Sequence, residues 1–116
     1  MKTKKEIIDK LNDDAMQIIL NAGDARQFMQ EAIEKICEDT SWEEIDALME
    51  QAKEKLTAAH IVQTDDIQKS VTQVDQVTCL LFTHAQDTLM TINSELYLTK
   101  NLIKLYKHLE RKVENV

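Results

Sequence analysis

Apolar residues recur through the first third of the chain at intervals of three and four: Ile8, Leu11, Ala15, Ile18, Ala22, Ala25, Met29, Ala32 and Ile36. That spacing lays them along one face of a helix over about residues 4 to 38. The stripe crosses Gly23 without a break, so this glycine reads as helical. The small residues of "NAGDA" suit the close approach of a neighbouring helix better than a phosphate loop, which needs further glycines.

"EDTSWEE" then predicts a turn and a new start, with Ser41 and Glu44 in capping-box spacing. A second helix follows to about residue 68, with Ile45, Met49, Ala52, Leu56, Ala59 and Gln63 on one face. Gln63, flanked by His60, falls where a core residue belongs, and a hydrogen-bonded buried pair is the ordinary reading. The polar run "QKSVTQVDQ" carries no stripe and predicts a loop over about 69 to 77.

The third helix, over about 77 to 113, has two apolar faces. One carries Leu81, Ala85, Leu89, Ile92, Leu96 and Ile103. A second, roughly a quarter turn away, carries His84, Asp87, Thr91, Ser94, Leu98, Leu102, Leu105 and Leu109. Helices of ~35 residues extend ~50 Å. Joined by short connections, three of them make an antiparallel bundle. Such a bundle buries one stripe per helix, which leaves the second leucine stripe in need of a partner. A second copy of the same helix is the simplest partner, so a homo-oligomer is expected, with this face as its seam.

Composition supports this frame. The chain has 116 residues, no proline and one glycine, which fits a single all-α domain over 1–116. A net charge of -7 without a basic, aromatic stripe argues against nucleic-acid binding. The late cluster Lys100, Lys104, Lys107, Arg111 and Lys112 reads most simply as complementing a helix C-terminus. Cys37 and Cys79 lack metal or redox spacing. The start "MKTKKEIIDKLNDD" is too charged for a signal peptide, and no apolar run approaches the ~20 residues of a membrane span. A soluble, cytoplasmic protein without direct membrane insertion is expected.

Chemistry is confined to few residues. His84 and Asp87 share a helical face at i, i+3, although a lone H-x-x-D pair discriminates poorly. His60, His84 and His108 lack zinc spacing, and one glycine cannot build a nucleophile elbow. A solvent-facing imidazole titrates near ~6.5 and can attack a phosphoryl donor to form a labile P–N bond. Gln86 and Thr88 are the neighbouring polar groups available to hold phosphoryl oxygens. In a parallel trimer, three Asp87 carboxylates would meet near the axis, and two charges ~5 Å apart repel by ~3 kcal/mol at an effective dielectric of ~20. They would either bind a hard cation such as Mg²⁺ or Ca²⁺, or form a polar layer that sets register without metal. The residues alone leave those two readings level.

Three blocks in order carry a family resemblance: "IILNAGDAR" at 18–26, "AHIVQT" at 59–64 and "THAQDTLMT" at 83–91, continued more weakly by "LIKLY" at 102–106. The chain resembles enzyme IIA of the lactose/cellobiose (N,N'-diacetylchitobiose) class of the bacterial sugar phosphotransferase system. The resemblance implies a homotrimer of three-helix subunits, a nine-helix bundle with a divalent cation, for which Mg²⁺ is suited, on its axis. It implies His84 as the phosphorylated residue and Asp87 as the metal ligand. It also implies HPr as donor, and as acceptor the cysteine of a cognate IIB component serving uptake of a lactose-, cellobiose- or chitobiose-type disaccharide. Family members often read H-A-Q-D-H-L-M-T, where this chain has Thr88 in place of the second histidine. The 69–77 segment also lacks the glycines often found there. The alternative is a structural or regulatory helical oligomer that has lost the relay.

Overall fold

The structure, a computed structural model, describes residues 2–72 and 79–116, the side chains of 70–72 excepted. It contains α1 (Lys4–Cys37), α2 (Trp42–Thr72) and α3 (Leu80–Glu114), with no strand among the described residues. Local chemistry sets the boundaries. Thr3 accepts from the Glu6 backbone N–H at 3.1 Å while the Thr3 N–H donates back to the Glu6 carboxylate, a complete capping box. At the other end Asp39 takes a positive φ of 57° to turn the chain. Ser41 then accepts from the Glu44 N–H at 3.4 Å, which is one half of the predicted box.

α2 runs further than its polarity suggests. Residues 69–72, expected to be loop, continue the helix, and the rest of that predicted loop lies outside the described residues. No proline or glycine interrupts this stretch, and Lys69 pairs with Asp65 at i, i+4 (2.9 Å). α3 was expected from residue 77; its described part starts at Leu80, after an extended Cys79.

The predicted stripes meet in one core. Ala15, Ile18, Ala22, Ala25, Met29 and Ala32 of α1 pack with Ile45, Ala52, Leu56 and Ala59 of α2 and with Ala85, Leu89, Ile92, Leu96 and Ile103 of α3. Ile36 and Leu81 sit at its edge, partly buried. α3 lies chiefly along α1 and touches α2 much less, so the α2–α3 side of the bundle stays more open. A pair of hydrogen bonds joins α1 to α3: Arg26 Nε and Nη2 donate to the two Glu95 carboxylate oxygens, each at 2.9 Å. The planar guanidinium fits that carboxylate as a fork, and the bond to Glu95 raises the Arg26 pKa further. Thus three members of the "NAGDAR" run, Ala22, Ala25 and Arg26, are structural.

Three expectations need correction. Gly23 is helical but exposed, and a Cβ there would meet nothing within 4 Å. It faces away because the core direction belongs to Ala22, 100° back around the helix. Gln63 is buried and His60 half-buried, yet among the described residues no hydrogen bond joins them. The second stripe of α3 stands about 140° from the core stripe rather than a quarter turn, since Asp87 lies two residues from both Ala85 and Leu89.

Candidate functional site

His84 lies in the second turn of α3, exposed, with no hydrogen-bond partner among the described residues. Side chains on a helix lean toward its N-terminus, so the imidazole overhangs the first turn, where backbone N–H groups have no intrahelical acceptor. That turn carries no acidic side chain. A negative group attached to the ring would therefore sit at the positive end of a 35-residue helix.

The neighbours are placed unequally. Asp87, at i+3, shares the face of His84 and is exposed. Thr88, at i+4, is half-buried, and its hydroxyl donates to the His84 carbonyl at 3.0 Å. The Thr83 hydroxyl likewise donates to the Cys79 carbonyl at 3.2 Å. Both hydroxyls beside the histidine are thus turned onto the helix backbone, and Thr88 would have to rotate before it could donate outward. Gln86 is not brought beside His84: two residues on, it points about 200° around the helix. Among the described residues of one chain, no group of three or more His, Cys, Asp or Glu side chains is assembled to hold a metal. Asp87 presents a single exposed carboxylate.

Every member of the second stripe, from His84 through Leu109, is exposed. Leu98, Leu102, Leu105 and Leu109 are each more than half exposed. The accessible surface is 8173 Å² for a mass of 13.4 kDa, against about 6,500 Å² for a monomeric globular protein of that mass.

One acidic cluster lay outside the sequence reading. Asp66, 5% exposed, occupies the next position after Gln63 in the α2 stripe, and that continuation was the signal available. Burial, then the hydrogen bond with Asp14 and that carboxylate's charge, push its pKa up to about 6. For Asp14, burial also opposes ionisation, but bonds from Asp66 and Lys10 outweigh it and hold the carboxyl below its usual range. Lys10 pairs with Asp14 and stands 3.6 Å from Asp66. Among the described residues, one Asp66 oxygen is buried without a hydrogen-bond partner.

The described residues form a small three-helix bundle with an exposed imidazole near a helix start, and comparison with known proteins assigns its class. The sequence profile described as "PTS system, Lactose/Cellobiose specific IIA subunit" matches residues 13–107. The chain is 34% identical over 91 residues to the lactose-specific EIIA component of Staphylococcus epidermidis, covering 78% of this chain and 86% of that protein. It is 31% identical over 102 residues to the N,N'-diacetylchitobiose-specific EIIA component of Escherichia coli, covering 88% and 87%. The crystal structure of the cellobiose-specific enzyme IIA of Bacillus anthracis superposes with a TM-score of 0.76 at 36% identity, covering 97% of this chain and 95% of that one.

The chain belongs to the lactose/cellobiose-specific IIA family of the sugar phosphotransferase system. It is a phosphoryl-transfer component of sugar transport, and among its described residues no helix is long and apolar enough to cross a membrane.

Proposed function

We propose that His84 accepts a phosphoryl group from phospho-HPr in the cytoplasm and passes it to the cysteine of a cognate IIB component, for uptake of a lactose-, cellobiose- or chitobiose-type disaccharide. In the first step a neutral ring nitrogen attacks phosphorus, and a new P–N bond forms as the P–N bond to the donor histidine breaks. In the second, the cysteine thiolate forms a P–S bond as the P–N bond to His84 breaks. The observation that carries this reading is the exposed imidazole of the "THAQDTLMT" block, in the second turn of α3 and without a hydrogen-bond partner among the described residues. Helix polarity would steady the phosphoryl charge, with Thr88 contributing after a rotamer change; Gln86 is turned away from His84.

The active form in this reading is a homotrimer, a nine-helix bundle with the α3 leucine stripe at its centre. The surplus surface and the wholly exposed stripe support it. Asp87, exposed on that same stripe, would then present one carboxylate per chain to the axis, where a hard divalent cation such as Mg²⁺ would relieve their repulsion. The opposing reading, a structural or regulatory oligomer without the relay, is favoured only by the inward-turned Thr88 hydroxyl.

Incubation with phosphoenolpyruvate, enzyme I and HPr, followed by intact mass measurement, tests the relay. An acid-labile phosphate adduct is expected on the wild type and lost in His84→Ala. An adduct that persists in the variant, or none on the wild type, would favour the opposing reading.

A further inference from the structure

The basic residues late in α3 occupy one line. Lys100, Lys104, Lys107 and Arg111 stand at i, i+4, i+7 and i+11, on the side of α3 that faces α2. A helix dipole acts within the last turn, and Lys100 and Lys104 lie more than two turns before Glu114, so dipole compensation does not account for them. They border a groove of about 600 Å³, floored by Trp42 and Ile103, in the open side between α2 and α3.

The groove is organised. Trp42 Nε1 donates to Glu110 at 3.4 Å, and Lys107 sits 4.5 Å from the Trp42 ring centroid and 3.5 Å from Asp46. Those contacts fix Lys107 and engage Glu110 and Asp46, while Glu50 lines the adjoining hollow with Lys100. Among the described residues, Lys100, Lys104 and Arg111 have no carboxylate within 4 Å, although the chain carries a net charge of -7. Three unneutralised cations thus line one cavity of an acidic protein. The first turn of α2 also begins at Trp42 but carries Glu43 and Glu44, so the cations and not that helix start supply the positive charge.

The geometry points to a binding groove for a small phosphate monoester, its carbon body against Trp42 and Ile103 and its phosphate among Lys100, Lys104 and Arg111. Concavity and size match a small organic anion. The groove is also separate from the His84 stripe: at 100° per residue the cation line and the leucine line lie roughly 160° apart around α3. Occupancy of one face therefore leaves the other free.

Trp42 is the sole tryptophan and reports directly. Titration with glucose 6-phosphate is expected to give a saturable change in its fluorescence and broadening of the ligand's ³¹P resonance. Glucose should give neither, and inorganic phosphate should bind more weakly for lack of a carbon body. Lys104→Gln combined with Arg111→Gln, both exposed positions that circular dichroism can verify as folded, should weaken binding about tenfold or more. His84→Ala should bind as the wild type does, which separates this site from the relay. No saturable signal by either method, equal affinity in the double variant, or binding only to phosphatidylserine vesicles in a sedimentation assay would overturn the proposal.

Discussion

The two stripes of α3 differ in fate more than in composition. Ala85, Leu89, Ile92, Leu96 and Ile103 are buried against the other helices, whereas Leu98, Leu102, Leu105 and Leu109, spaced just as regularly, face outward. Regular spacing says that a face is apolar; it does not say what lies across from it. The inner stripe meets its partners within the chain. The outer stripe, continuous with His84 and Asp87, has none there, and that absence links apolar assembly and exposed chemistry on one surface.

The contrast breaks most sharply under truncation. Leu89→Ala, at a fully buried position, should lower unfolding free energy by about 3 kcal/mol. Leu102→Ala, half exposed, should cost the isolated protomer less than about 0.5 kcal/mol in denaturant titration. Equal costs in a dilute sample would mean that the outer stripe is already covered.

Replacing Leu98 and Leu105 together by lysine should leave helicity intact and convert the sedimenting species to a protomer. Asp87→Leu should do the reverse, keeping or tightening the assembly while abolishing divalent-cation binding. Dissociation on the Asp87 change would show that the ion, and not the leucines, holds the copies together.

A smaller effect is expected at the buried acid. The Asp66 pKa is raised to about 6, so between about pH 4 and 6 the folded state binds more protons than the unfolded chain. This group's contribution is greatest below about pH 4 and is lost as pH rises through 6. Asp14, held low, contributes in the opposite sense, present above its unfolded pKa and lost as pH falls. The Asp66→Asn amide can donate to Asp14 and accept from Lys10 without a titrating proton. It should stabilise the fold at pH 7.5 by about 1–2 kcal/mol and flatten the pH 4–6 slope of thermal stability. An unchanged slope would show that Asp66 does not carry it.

The smallest effect concerns Gly23. With open space around its Cβ position, Gly23→Ala should stabilise by about 0.5–1 kcal/mol through helix propensity. Destabilisation in differential scanning calorimetry would mean that another chain packs there.

Helix number, most members of each core stripe and the unpartnered stripe of α3 were legible in the residue order, because helical period is a local property; Ile8 and Leu11, expected in the α1 stripe, are only half-buried and lie outside the core. So was the family, through three short blocks, the last of which contains His84. The Gln86 direction was equally legible, since residues two apart cannot share a helical face, and the sequence reading nonetheless grouped it with His84.

Other features depended on which helix stands opposite which, and by what rotation. Only tertiary packing paired Arg26 with Glu95, buried Asp66 beside Asp14 and set the late basic line of α3 against Trp42. Periodicity assigns a residue to a face. Which side chain meets it there is decided by contacts between residues as much as 69 positions apart, such as Arg26 and Glu95, and a local pattern does not encode them.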